Sequence, residues 1–134
     1  MSTRQSEDSF GCEHCWPSAA DAAWEARSRL RREVELIDES HFHVMILVCP
    51  KCSQPFVSVF TEEIDWVEGE DPQSWTLLPT TPQEVTYLRQ FGAALTELTL
   101  NALGKGRRSL RRDHPKEDSS HCFWSTGILV LPHD

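Results

Sequence analysis

The chain has 134 residues and a formal net charge of −8, with 39% hydrophobic and 25% charged residues. That length suits one compact domain with a buried core, and the composition is not that of a disordered chain. The acidic balance argues against nonspecific nucleic-acid binding by the whole molecule, though not against a local basic face. No apolar run reaches membrane-spanning length.

Residues 1–10, MSTRQSEDSF, are polar, lack the apolar core of a secretory signal, and are expected to be flexible up to the first cysteine. Cys12-Glu13-His14-Cys15 follows, and it has a counterpart in Cys49-Pro50-Lys51-Cys52. A C-x-x-C pair lets two thiolates face one ion from a tight turn. Two pairs complete the tetrahedral shell that Zn²⁺ takes in closed, structural sites. One structural zinc ion on Cys12, Cys15, Cys49 and Cys52 is therefore the expected cofactor. A redox pair is the competing reading, because Cys12 and Cys15 precede a helix signal. A thioredoxin-like arrangement would need a strand leading into the motif, and only polar-rich residues stand there. The odd cysteine count, the spacing and the missing signal point to a reducing, cytoplasmic setting.

Pro17 and Ser18 announce a helix, with Ser18 and Asp21 forming a capping-box-like pair. The spacing predicts a helix over 19–37 with an apolar stripe of Ala20, Ala23, Leu30, Val34 and Ile37. Arg27, Arg29, Arg31 and Arg32 interleave with Glu25, Glu33 and Glu35 as an internally paired surface. Residues 41–49 alternate as a strand, with Phe42, Val44, Ile46 and Val48 on one face and His41, His43, Met45 and Leu47 on the other. The two histidines fit a strand edge better than a metal site. A return strand from Phe56 to about Trp66, with a bulge near Thr61 or Glu62, makes Cys49–Cys52 the turn of a hairpin. The brackets and hairpin resemble the zinc-ribbon and rubredoxin-knuckle group, whose signature is C-P-x-C followed by glycine. Ser53 after Cys52 and Trp16 after Cys15 depart from it. The resemblance covers the cysteines and the hairpin; it implies a zinc site and no specific activity.

Glu62, Glu63, Asp65, Glu68, Glu70 and Asp71 then form an acidic turn around Gly69. Its simplest explanation is an exposed turn. Trp66 and Trp75 flank it, however, and indoles beside carboxylates make an anchor-and-rim surface for a basic protein partner. A third strand is expected at 75–78. Thr81-Pro82-Gln83-Glu84 reads as a helix start with N-cap, proline at N1 and glutamate at N3. That helix should run to Gly104 and bury Leu88, Phe91, Leu95, Leu98 and Ala102. Lys105, Arg107, Arg108, Arg111, Arg112 and Lys116 follow, and are expected to neutralise the acidic turn or face solvent. Their alternative use is a nucleic-acid surface of Arg107, Arg108, Arg111 and Arg112. A loop through Pro115 to Ser120 leads to a closing strand over 122–131 with a bend at Gly127.

No phosphate loop, H-E-x-x-H or nucleophile elbow is present. His114, His121 and Cys122 are the best catalytic candidates, but strand alternation turns neighbours such as His121 and Cys122 to opposite faces. The expected architecture is one α+β domain over 1–134, with a small mainly antiparallel sheet of about four strands, a zinc-knuckle hairpin and two main helices packed on it. The expected function is a non-enzymatic zinc-binding module for a protein partner, like small bacterial immunity, antitoxin or adaptor proteins. The alternative is a nucleic-acid-binding zinc-ribbon adaptor.

Overall fold

The computed structural model describes residues 10–69, 71–115, 119–131 and 133. The flexibility expected of residues 1–9 and the positions of Glu70 and Lys116 lie outside them. The chain is α+β, in the order α1 (Ala20–Arg27), β1 (Arg31–Glu39), β2 (Phe42–Val48), β3 (Pro55–Glu62), β4 (Gln73–Pro79), α2 (Pro82–Phe91), a 3₁₀ turn (Gly92–Ala94), α3 (Glu97–Ala102), β5 (Arg108–His114) and β6 (His121–Thr126). Among the described residues six strands pair antiparallel in sequence order, so each strand lies beside the one before it. Two more strands are present than the alternation of the sequence shows.

The extra edge strand replaces the second half of the expected first helix. That helix stops at Arg27, and Arg31–Glu39 pairs with β2. The register shifts between Arg32 and Val34 and again between Glu35 and Ile37. Two irregularities in one strand break period-two alternation and leave Val34 and Ile37 three apart, which imitates a helical stripe. The exposed Arg31, Arg32, Glu33, Glu35, Asp38 and Glu39 also charge this edge, a common protection against edge-to-edge pairing. Ser18 does not cap α1: the N-cap is Ala19, without a side-chain hydrogen bond.

The β2–β3 hairpin is paired in continuous register from Phe42↔Thr61 to Val48↔Pro55, without the expected bulge. Its alternation supplies two cores, one on each side of the sheet. Val44, Ile46, Val57, Val59 and Leu78 pack with Leu88, Leu95, Leu100 and Leu103 from the α2–α3 segment. On the opposite face, Leu47, Phe56, Leu77 and Leu110 pack with Cys15, Cys49 and Ala23, against which Trp16, Trp24 and Trp124 also lie. The two helical layers therefore cover opposite faces, with α1 and the cysteine brackets on the same side.

The α2 start is as the sequence implies. Thr81 accepts the Glu84 N–H at 3.2 Å, Glu84 accepts the Thr81 N–H at 2.9 Å, and Pro82 opens the helix. The expected single helix to Gly104 is instead broken at Gly92 and restarted at Thr96, which caps α3 by accepting the Thr99 N–H. The restart resets the helical phase. Leu88, Leu95, Leu100 and Leu103 are buried, while Phe91 and Ala102 are exposed and Leu98 is 82% exposed. β6 ends at Thr126, short of the expected 131. Gly127 makes the bend with φ +63°, after which Ile128 and Val130 enter the α2–α3 core without strand pairing.

Candidate metal centre

Each cysteine bracket is a tight turn held by its own backbone. In the first, the N–H groups of Cys15 and Trp16 both reach the Cys12 carbonyl, at 3.1 and 2.7 Å. Gly11 precedes it with φ +72°, and a Cβ there would lie 2.8 Å from Trp16 Cβ and 2.9 Å from Cys15 Sγ. Glycine is thus required by both conformation and space. In the second, Ser53 N–H donates to the Cys49 carbonyl at 2.9 Å, Cys49 N–H donates to the Gln54 carbonyl at 3.0 Å, and Lys51 N–H reaches Cys49 Sγ at 3.4 Å. Ser53 adopts φ +68°, the left-handed conformation that glycine supplies in the C-P-x-C-G pattern.

The turns bring Cys12, Cys15, Cys49 and Cys52 together, with every pair of Sγ atoms within 4.8 Å. Cys12 and Cys15 are 3.8 Å apart at sulfur, Cys12 and Cys49 3.9 Å, and Cys15 and Cys52 3.7 Å. An ion held at about 2.3 Å by four tetrahedral thiolates requires sulfur separations of about 3.8 Å. The cluster fits one such ion. Cys15 and Cys49 are buried, Cys12 is half-buried and Cys52 is exposed, so one edge of the site reaches the surface.

The four thiols are electrostatically unequal. Burial opposes ionisation of Cys12, but hydrogen bonds from the Cys15 and His14 backbone and from neighbouring thiols outweigh it and lower its pKa to about 7. Burial pushes the Cys15 and Cys52 thiols above their usual range. The fifth cysteine stands apart. Cys122 lies on β6 with its sulfur 3.8 Å from an Arg112 guanidinium nitrogen, and burial raises its pKa.

The aromatic surroundings fix the first bracket against the sheet. Trp16 packs on Phe56 at 5.3 Å and edge-on against Trp124 at 5.0 Å, while Trp124 Nε1 donates to the Ser18 carbonyl at 2.9 Å. A sequence with five tryptophans signals such anchors without saying which element each indole joins.

The basic residues do not form one surface. Arg107 binds Glu84 and the Pro79 carbonyl, and its guanidinium lies 4.6 Å from the Phe10 ring centroid. On β5, alternation sends Arg111 to one face and Arg108 and Arg112 to the other. Arg111 is 7% exposed and pairs with Asp113 at 2.9 Å. Arg108 lies over Trp124 at 4.0 Å and Arg112 over Trp24 at 4.8 Å. Neutralisation by the acidic turn, one of the two expected outcomes, is replaced by these partners, while the other, a position facing solvent, holds for Lys105 and Arg108.

In the acidic segment, Asp65 Oδ1 accepts the Val67 and Glu68 N–H groups, both at 3.1 Å, and Asp71 Oδ1 accepts the Asp65 N–H at 2.7 Å. Glu62 is tied to His41 at 3.0 Å and accepts from Gln73 at 2.8 Å. Glu63 and Glu68 are at the surface. Two of its carboxylates thus shape the turn and a third ties it to the sheet. The flanking indoles diverge: Trp66 is 83% exposed beside Val67 at 89%, whereas Trp75 packs on Trp24 at 5.5 Å and Phe60 at 5.1 Å.

Comparison with known proteins leaves these observations to stand alone: no family model, curated protein or solved structure matches the chain. Sequence reading missed Gln54, whose side chain joins the two brackets (Gly11 N–H to Oε1, 2.9 Å). A lone glutamine after a knuckle carries no pattern that would have marked it.

Proposed function

We propose that Cys12, Cys15, Cys49 and Cys52 bind one structural zinc ion in a non-enzymatic module that presents the Trp66–Val67 tip to a protein partner. The observation that carries the zinc reading is the sulfur spacing of 3.7–3.9 Å between ligands from both brackets. Four soft thiolates in a tetrahedral arrangement suit zinc, and a shell filled by four sulfurs leaves no position for a water to be activated. The ion would join the N-terminal segment to the β2–β3 hairpin and so contribute directly to folding.

Support for the partner reading is the exposure of an indole and a valine at the tip of an acidic turn. An exposed aromatic anchor on the same turn as the surface carboxylates Glu63 and Glu68 suits a partner with a pocket and a basic rim. The nucleic-acid alternative has less support, because strand alternation and ion pairing divide Arg107, Arg108, Arg111 and Arg112 among different surroundings.

Elemental analysis of protein purified without added metal tests the site, with one zinc per chain expected. Zinc near zero in a folded protein with freely titrating thiols would overturn it. For the partner, affinity capture from native extract should retain a protein that a Trp66→Ser, Val67→Ser double variant loses. Identical capture by both proteins would remove the tip from consideration.

A further inference from the structure

Gln54 follows the second bracket and occupies a junction. Its Oε1 accepts the Gly11 N–H at 2.9 Å, and its Nε2 donates to the Thr80 carbonyl at 2.8 Å and the Pro55 carbonyl at 2.8 Å. Its own carbonyl accepts the Cys49 N–H at 3.0 Å. One residue thus holds the amide just before Cys12, the backbone of Cys49, and the link between β4 and α2. The first of these bonds crosses from one bracket to the other without using a sulfur.

The chemistry leaves the amide a single orientation. A backbone N–H can only donate and two carbonyls can only accept, so oxygen must face Gly11 and nitrogen must face Thr80 and Pro55. Glutamate offers acceptors alone, and leucine offers neither. Asparagine is one methylene short. Gly11 has no room to adjust, since it is packed against Trp16 and Cys15 with φ +72°. Thr80 is equally fixed: it is 1% exposed, and its N–H donates to the Pro55 carbonyl at 2.9 Å.

We propose that Gln54 is a positioning residue for the metal site, setting the separation of the two brackets and anchoring it to the β4–α2 junction. This rests on the zinc reading above and adds to it a determinant of affinity outside the ligands. Residues that orient ligands from outside the coordination shell contribute about 10–100-fold in metal affinity when removed.

The test compares zinc affinity, by competition with a chromophoric chelator, for wild type, Gln54→Leu, Gln54→Glu and Gln54→Asn. Each variant that folds should bind zinc about 10–100-fold more weakly. Its cobalt-substituted form should show shifted or broadened ligand-field bands. Val57→Ala, a cavity variant in the α2–α3 core on the other face, should lower stability while keeping the wild-type cobalt spectrum and affinity. Wild-type affinity in the Gln54 variants, or equal weakening by Val57→Ala, overturns the positioning role and leaves the zinc site standing. Failure of the wild-type protein to bind zinc overturns both.

Discussion

Arg107 donates to both oxygens of the Glu84 carboxylate, at 2.7 and 3.2 Å, and Glu84 at the same time accepts the Thr81 N–H at 2.9 Å. The capping box of α2 and the approach to β5 therefore share one carboxylate. Each partner's side chain is only about one-fifth exposed (20% and 21%), so removing the guanidinium leaves a half-buried charge short of donors. Arg107→Met should lower stability by roughly 1–3 kcal/mol, read as a lower urea midpoint at constant slope. A midpoint equal to that of the wild type would show that the pair is solvated in practice.

Ser53 makes an opposite case, because there the native residue carries the cost. A non-glycine residue in the left-handed region is disfavoured by roughly 1–2 kcal/mol, and Ser53 sits at φ +68°. Ser53→Gly should stabilise the metal-loaded protein by about 1 kcal/mol, while Ser53→Val should destabilise it, since a branched side chain fits that conformation poorly. Denaturant melts of the two variants should move in opposite directions. Movement in the same direction would refute the strain.

The unequal thiols set a pH dependence. Cys15 and Cys52 are pushed up and stay protonated near neutrality, so metal loading must displace at least their two protons. Cys12, lowered to about 7, contributes a third as the pH falls below that value. Binding holds these groups as thiolates in the folded state, whereas the unfolded chain takes protons up more readily. The stability from metal is therefore present at high pH and lost as pH falls. The slope of log affinity against pH should steepen from at least two to at least three on going below pH 7, measured by chelator competition. A flat profile from pH 8 to 6 would contradict the assignment.

The two classes of cysteine should separate cleanly. Cys49→Ser removes a buried ligand and should abolish stoichiometric zinc and loosen the domain, visible as lost near-ultraviolet tryptophan dichroism. Cys122→Ser, on β6 beside Arg112, should keep the wild-type zinc content. Zinc loss in the second variant and not in the first would invert the ligand set.

The legible parts of this chain were those in which local chemistry and global position agree. The brackets, the β2–β3 alternation and the Thr81–Glu84 cap are short-range signals, and each reappears in the fold. The misreadings came from patterns that tertiary pairing overrides. Val34 and Ile37 look helical because β1 is irregular twice, and Arg32–Glu35 at 3.3 Å is an ion pair that a helix could equally make. Phe91 and Leu98 continue a helical stripe on paper, but Phe91 ends α2 at the surface and the break at Gly92 puts Leu98 out of phase with the core. β5 was hidden by its arginines. A strand interior to a sheet can carry them because Arg111 finds Asp113 and Ser74, and Arg108 and Arg112 lie over indole rings. Such partners are distant in sequence and leave no local trace.

The sequential strand order bears on how the protein is made. On a ribosome, each strand after β1 emerges to find its neighbour already outside the tunnel, so the sheet can extend in step with synthesis. The first bracket cannot follow that schedule. Cys12 and Cys15 emerge first, and their partners Cys49 and Cys52 follow only after α1, β1 and β2. For that interval the nascent chain carries a half-site of two thiols without the second bracket. Such a half-site is open to stray oxidants and competing metals. Cells short of available zinc should therefore accumulate chains damaged at the N-terminal bracket more than at the second, whose cysteines emerge with their partners already made.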